Sequence, residues 1–458
     1  LFIWAWGVPP SSVTAIGGKD AFDPPREAYD RMYCIYEFKM PDGTKNEAIY
    51  QVISSNARGG FYEQFMGVNA SLTIAEISAR GNTVQRELRQ GGLSEAEWQK
   101  FIDKGWILPT EGDKVVYQNA FGYRDKDTRE PLDINDIFRI ASISKSFSGM
   151  SIMQLVEAGK LSLEDDINGI LGMNIRNPRY PDVPVTVKML LSHTSSMQDG
   201  GGFDMYRDLT YVDESQTDKK TIREKAWLPY PPGKGYKYCN RGLNIIGLII
   251  EKVSGERFDE YVLNHILKPI GADNAGYNLD TLDGSTIAQI YSYEKKGDRL
   301  LPSSAYVRNN ELKVANGTYR IGKDGCYWSP TGGMKISAPN LAKRMMTLRD
   351  GGVAPNGNRI VSEAGCKKLL TPVFTADSGG HYCLTIRVEP RFIEGKTLKG
   401  HTGSAYGLFS CMYFCPDEDW GFVCICSSGK RDTVNGIRKV YYQAVRLLYD
   451  QYIKPNAK

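Results

Sequence analysis

A serine and a lysine three residues apart at a helix start can turn a hydroxyl into a nucleophile, because the amine can take the hydroxyl proton once burial or nearby cations lower its pKa. The segment from Phe138 to Val156, FRIASISKSFSGMSIMQLV, puts Ser142 and Lys145 in that relation. Ile143, Phe147, Met150 and Met153 recur at helical spacing, which predicts a helix with one core face and brings residues three apart together. Unpaired N–H groups of the first turn would then face an oxyanion forming beside the serine. Such a pair carries little weight alone. Ser427 and Lys430 in SSGK repeat the spacing in a stretch that reads as loop around Gly429.

Partners for the pair come from two later stretches. In LPYPPGKGYKYCNRGLNIIGLIIEKVSG, prolines and glycines block regular structure up to Lys237, and Leu243, Ile246, Ile250 and Val253 then mark an amphipathic helix closed by Gly255. Tyr238 and Asn240 lie on its lead-in. A phenol held near a lysine can share its proton, and an asparagine amide offers a donor and an acceptor to an amide substrate. Tyr117 and Asn119 have the same spacing, but nothing sets them apart from an exposed pair on a strand. Further on, His401-Thr402-Gly403-Ser404 stands where a strand is expected to start. Gly403 would let a ligand approach the backbone, Ser404 could offer its N–H to an oxyanion, and Thr402 could bind a carboxylate or carbonyl; His401 by itself reads as a surface histidine.

The elements that must position these residues follow in chain order. Lys114 to Ala120 reads as a strand leading to the serine helix, which Gly159 should stop; a short helix is expected in AGKLSLEDDINGIL, and Thr186 to Leu191 leads into LSHTSSM. Gly200 to Gly202 reads as a loop bordering a cleft, and Thr210 to Lys220 as solvated chain. Phe258 to Ile270 is helical in pattern, and SPTGGMKISAPNLAKRMMTLRDGG reads as a loop followed by a helix. The stretch LKGHTGSAYGLFSCMYFCPDEDWGFVCICSSG predicts two strands joined by PDED, with a last helix from about Val434 to Tyr452.

Residues 1–110 form a separate region by composition. A strand pair is expected at Tyr33 to Phe38 and Ala48 to Ser54 around the turn signal Pro41-Asp42-Gly43, and a short helix at Ser94 to Lys104 with Ser94 and Glu97 as capping box. The segment YEFKMPDGTKNEAIYQVISSNARGGFYEQFMGVNASLTIAE distantly resembles part of the sheet domain of Gfo/Idh/MocA-type oxidoreductases. No G-x-G-x-x-G occurs there to bind a dinucleotide, so no NAD is assigned, and an accessory region packed on the main domain is expected.

A chain of 458 residues can bury a large core in two or three domains, and 41% hydrophobic with 24% charged residues is ordinary globular composition. A net charge of +4, from 57 basic and 53 acidic residues, gives no reason to expect a nucleic-acid partner. No run approaches the length of a membrane-spanning helix. The opening LFIWAWGVPPSS has neither an initiating Met nor basic residues, so a signal peptide is neither read nor ruled out, a trimmed stump is expected, and the compartment stays open. Nine cysteines argue against a complete disulfide framework; Cys411, Cys415, Cys424 and Cys426 read as small buried hydrophobes. With four scattered histidines, His193, His265, His381 and His401, no metal site is expected.

Ser142-Ile143-Ser144-Lys145, Tyr238-Cys239-Asn240 and His401-Thr402-Gly403, in that order and at those intervals, resemble the three motifs of the class C β-lactamase, DD-peptidase and class VIII carboxylesterase family. The phrases FGYRD, LLSHTSSM, PPGKGYKYCN and SPTGGMKIS add to the likeness, which runs from about Asp113 to Asp450. The resemblance implies an α+β fold in residues 111–458: a central antiparallel sheet made from both ends of the domain, flanked by helices, with a mostly helical insert at about 160–325 and the site in the cleft between. It implies Ser142 as acylated nucleophile, Lys145 or Tyr238 as the acylation base, Tyr238 as proton relay, Asn240 as orienter of the substrate amide, and the N–H groups of Ser142 and Ser404 as oxyanion hole.

No cofactor follows from the resemblance, and the implied partner is a small ester, D-amino-acid peptide or lactam, with the oligomeric state open. His401 stands where a class C β-lactamase is expected to carry lysine, which favours an esterase or D-peptidase over a β-lactamase. A non-hydrolytic penicillin-binding sensor or scaffold is the alternative from another class. A helix and an apolar strand usual in the family before Lys114 to Tyr117 have no counterpart beyond Gly105 to Leu108.

Overall fold

The computed structural model describes residues 11–18, 31–39, 41–43, 45–53, 62–66, 70–75, 83–86, 115, 118–199, 224–306, 308–375 and 381–454. The chain divides into two compact units, Leu1–Lys114 and Val115–Lys458. The segments expected at Ser94 to Lys104, Gly200 to Gly202 and Thr210 to Lys220 lie outside the described residues.

The first unit is an antiparallel meander of six strands in sequential order: β1 (Ser12–Gly18), β2 (Arg31–Lys39), β3 (Lys45–Ile53), β4 (Tyr62–Met66), β5 (Ala70–Ala75) and β6 (Thr83–Arg86). The expected strand pair is β2 with β3, and Lys39 faces Lys45 across a turn in which Gly43 has φ +86°. A glycine there avoids the Cβ clash that a left-handed φ imposes on other residues.

In the second unit a six-stranded antiparallel sheet carries the fold: β7 (Phe374–Thr375), β8 (His381–Tyr382), β9 (Arg387–Glu389), β10 (Leu398–Ala405), β11 (Leu408–Cys415) and β12 (Trp420–Cys426), hydrogen-bonded in that order. All eight side chains of β11 are buried, because helices cover both faces. Met412 and Phe414 join the larger core with α1 (Lys145–Glu157), α2 (Asn240–Ser254) and α3 (Ala338–Arg349). On the other face Phe409, Cys411, Tyr413 and Cys415 pack with Tyr441 and Val445 of α4 (Lys439–Leu448). Among the four strand cysteines, Cys411 and Cys415 are buried and Cys424 and Cys426 half-buried. Among the described residues no helix is long and apolar enough to cross a membrane.

The structure corrects four expectations. The stretch from Leu398 forms three strands, since Tyr406 (φ 57°) and Gly407 (φ 99°) make a two-residue turn that pairs Ala405 with Leu408; the PDED turn then joins β11 to β12. His401 to Ser404 therefore lie inside β10. The last helix begins five residues late, because Asn435 and Gly436, both at positive φ, close a hairpin of Thr433–Val434 with Ile437–Arg438. The described residues of 114–120 add no strand: Asn119 Oδ1 takes the Ala120 N–H locally, and Val115 and Phe121 are exposed. Strands of the sheet thus come from 374–426, with none from the start of the domain among the described residues. Finally, α1 is buried nearly all round instead of on one face, so close that a Cβ on Gly149 would come within 2.3 Å of Thr385 Oγ1.

Candidate active site

Four segments meet at the start of α1. Ser142 lies in a 3₁₀ turn, Ala141–Ser144, and Lys145 is the first α-helical residue. Ala141 has φ 52°, a left-handed conformation that a non-glycine residue adopts at a cost of about 1 kcal/mol or more. The turn is held in that shape by cross-links. Ser144 Oγ donates to the Ala141 carbonyl at 2.6 Å and accepts the Met334 N–H at 3.1 Å, and Ser410 Oγ of β11 donates to the Ile140 carbonyl at 2.9 Å. β10 runs against this turn at Gly403, where a Cβ would come within 2.2 Å of the Ile140 oxygen and 2.3 Å of Ser410 Oγ. Any side chain at 403 would push the strand off the serine turn.

Lys145 has no solvent exposure. Its Nζ lies 3.0 Å from Ser142 Oγ, 2.8 Å from Asn240 Oδ1 and 2.8 Å from the Thr331 carbonyl oxygen. Burial holds the amine well below the usual lysine range; Arg387 adds to the effect, while Asp199 and Cys239 oppose it. The amide orientation of Asn240 is assigned from its partners: Oδ1 also accepts from Thr331 Oγ1 at 2.8 Å, and Nδ2 donates to Asp199 Oδ2 at 2.9 Å. Asn240 therefore spends its oxygen on Lys145 and Thr331, not on a waiting substrate, and retains one N–H for a ligand.

Tyr238 presents its ring 4.9 Å from Lys145 Nζ. Its hydroxyl is buried and faces Ser142 without closing a hydrogen bond of ordinary geometry. Burial raises its pKa, so the group is a phenol at neutral pH, although Arg387 and Ser142 oppose the rise. The Arg387 guanidinium of β9 stands 5.2 Å from the Tyr238 ring centroid and 5.9 Å from that of Tyr382. Arg387 Nε is buried without a hydrogen-bond partner. No carboxylate of the described residues pairs with it. Nothing in the sequence marked Arg387, Thr331 or Asp199, although Thr331 sits in the noted phrase SPTGGMKIS.

The other sequence-derived residues divide between the two faces of β10. Gly403 faces the serine turn and Ser404 is exposed at its edge. Thr402 pairs across the strands with Cys411, on the α4 side of the sheet, where its hydroxyl meets Tyr441. His401 is buried, not a surface histidine, and belongs to a chain of hydrogen bonds. The Cys239 N–H reaches His193 Nδ1 at 3.2 Å, His193 Nε2 lies 3.0 Å from Tyr382 Oη, Tyr382 Oη lies 3.2 Å from His401 Nε2, and His401 Nδ1 lies 2.6 Å from the Thr402 carbonyl. These partners fix the tautomers: His193 donates through Nε2 to Tyr382, which donates to Nε2 of His401, which donates through Nδ1 to Thr402. Both imidazoles are neutral. Among the described residues no three His, Cys, Asp or Glu side chains gather as a metal would need.

The family model for β-lactamase matches residues 107–445. Penicillin-binding protein 4* of Bacillus subtilis (strain 168) is 30% identical over 235 residues, 51% of this chain and 50% of that protein. Protein flp of Staphylococcus aureus (strain MRSA252) is 27% identical over 193 residues, 41% of this chain and 35% of the relative. The chain thus spans half or less of the length of these relatives. Among solved structures, the octameric penicillin-binding protein homologue from Pyrococcus abyssi superposes with a TM-score of 0.56 at 27% identity, covering 74% of this chain and 71% of that one. A D-amino acid amidase from Ochrobactrum anthropi SV3, complexed with L-phenylalanine amide, gives 0.53 at 21% identity over 73% and 89% of the two chains, a likeness of fold alone.

Two buried neutral histidines make stability depend on pH. Burial lowers both pKa values well below 6.5, helped by Lys145 and Arg387, so the folded state stays unprotonated while the unfolded chain takes up two protons below that pH. Stability therefore falls as pH drops through 6.5, by up to about 1.4 kcal/mol per pH unit for each histidine. The Tm should be level near pH 7 and decline between about pH 6.5 and 5, above the range where carboxylates titrate. A Tm unchanged down to pH 5 would contradict the two neutral rings.

Proposed function

Since the chain belongs to the β-lactamase family of serine hydrolases, we propose that it cleaves ester or amide bonds through an acyl-enzyme on Ser142, with Lys145 as the acylation base. The observation that carries this reading is the set of three contacts at Lys145 Nζ. Asn240 Oδ1 and the Thr331 carbonyl are obligate acceptors, and a neutral amine has two hydrogens to give them. Its lone pair is then left for the third neighbour, the Ser142 hydroxyl. Tyr238 is the weaker candidate for base because burial keeps it a phenol.

On this reading Lys145 takes the Ser142 proton as Oγ attacks the carbonyl carbon, and the N–H groups of Ser142 and Ser404 receive the developing oxyanion. Tyr238 gives its proton to the departing amine or alcohol and recovers one from Lys145. Water then splits the acyl-enzyme, releasing the acid and restoring Ser142. Arg387 supports the choice of substrate class: a cation beside Tyr238 with no carboxylate partner among the described residues suits a substrate that brings its own. This favours peptides or amides of D-amino acids with a free carboxylate, with small neutral esters as poorer substrates.

Hydrolysis of a p-nitrophenyl ester and of a D-alanyl peptide by wild-type protein and Ser142→Ala, both with a chelator present, tests the nucleophile. Turnover should survive the chelator and fall at least about 10³-fold in the variant; equal turnover by the two proteins would exclude Ser142. Arg387→Gln tests the substrate class. It should raise KM for the carboxylate-bearing peptide about 10-fold or more, the worth of a charge-assisted hydrogen bond, and affect the neutral ester far less. An equal loss on both substrates would assign Arg387 to packing around Tyr238.

A further inference from the structure

Among the described residues, Asp199 contacts the lead-in and first residues of α2. Its Oδ2 accepts the Asn240 N–H at 2.8 Å and Asn240 Nδ2 at 2.9 Å, and its Oδ1 accepts the Arg241 N–H at 3.1 Å and Cys239 Sγ at 3.5 Å. The backbone contacts satisfy two of the orphan donors of the helix start, for which α2 has no side-chain cap of its own at Cys239. The contact to Nδ2 does something a cap does not require. It turns the Asn240 amide so that Oδ1 points at Lys145.

We propose that Asp199 is a positioning residue of the reaction: it fixes the Asn240 amide, and the amide oxygen in turn aims the Lys145 lone pair at Ser142. The line Asp199, Asn240, Lys145, Ser142 follows the logic of a carboxylate that orients a base that activates a hydroxyl, with an amide inserted between carboxylate and base. The Thr331 hydroxyl and a neutral Lys145 amine can each donate or accept, so the Asp199 carboxylate, which only accepts, is the contact that tells the amide nitrogen from its oxygen. Flipped, it would present an N–H₂ group to Lys145, which could then satisfy only one acceptor and would turn toward the Thr331 carbonyl. This inference rests on Lys145 being the base for Ser142.

Asp199 also acts through charge. Among the described residues, the groups that face Lys145 are Asp199 from the segment after LLSHTSSM, Cys239 from the α2 lead-in, Arg387 from β9, the Tyr238 ring, and the neutral rings of His193 and His401. Asp199 raises the lysine pKa against the downward push of burial and Arg387. Removing its charge lowers that pKa further.

Asp199→Asn therefore has two separable effects. The plateau of kcat falls about 10- to 100-fold through misalignment, while the acid limb of kcat/KM, where Lys145 loses its proton, moves to lower pH. Asp199→Glu keeps the charge on a longer arm, so its plateau falls and its limb stays at the wild-type pH. A residue that only caps the helix would lower Tm in both variants and leave both the limb and the plateau of the folded protein in place. If Asp199→Asn does not fold, a limb displaced to lower pH in Asp199→Glu, or a plateau undiminished in it, overturns the proposal. If wild-type protein shows no turnover that depends on Ser142, the failure lies with the nucleophile and not with Asp199.

Discussion

Burial pushes the Lys145 amine toward its neutral form, and a neutral amine inside a protein needs partners for its two hydrogens and its lone pair. Leaving a buried ammonium unpaired would cost several kcal/mol, which is why burial drives the amine toward its neutral form. Neutral, it needs two acceptors and one donor. The acceptors come from Asn240 and from the Thr331 carbonyl, and Ser142 supplies the hydroxyl. Each lies on a different stretch of chain, so the start of α1, the start of α2 and the loop before α3 must converge to within hydrogen-bond distance. The all-round burial of α1 and the large shared core fix that convergence.

Around this centre the positive charge is managed with little acid. Arg387 and Lys145 share the site with His193 and His401, and four cations there would repel one another strongly at the low effective dielectric of a protein interior. The hydrogen-bond chain through Tyr382 lets both histidines be satisfied while neutral. It ties β8 and β10 to His193 of LLSHT, and Cys239 links it to the residues next to Tyr238 and Asn240. The same rings that hold the strand carrying Gly403 and Ser404 also pack on Tyr238, at 4.3 Å for His193 and 6.1 Å for His401 between centroids.

The sequence was most readable where chemistry is carried by local spacing. Ser142 and Lys145 sit one helical turn apart whatever the rest of the fold does, and the run from Leu243 to Val253 with Gly255 behind it could form little but a helix. Tyr238 and Asn240 were within reach because the helix start fixes them together. Arg387, Asp199 and Tyr382 were not, since strands of two or three residues carry no periodicity and a carboxylate that reaches 41 residues ahead leaves no trace in spacing. His401 looked exposed because a lone histidine gives no sign of its partner on a neighbouring strand. The third strand of the hairpin series was missed for a related reason: Ala-Tyr-Gly is not a common turn signature, and the need for glycine at 407, where a Cβ would come within 2.0 Å of the Tyr291 carbonyl oxygen, depends on a distant segment.

The most direct measurement of the account is the rate at which a slowly hydrolysed acyl donor, such as a penicillin, labels Ser142 as a function of pH, followed by intact mass and peptide mapping. With burial lowering the Lys145 pKa, the acylation rate should rise through one ionisation well below the ordinary lysine range, with the label on Ser142. A rate that climbs only toward pH 10, where an exposed lysine deprotonates, or a label on another residue, would contradict it.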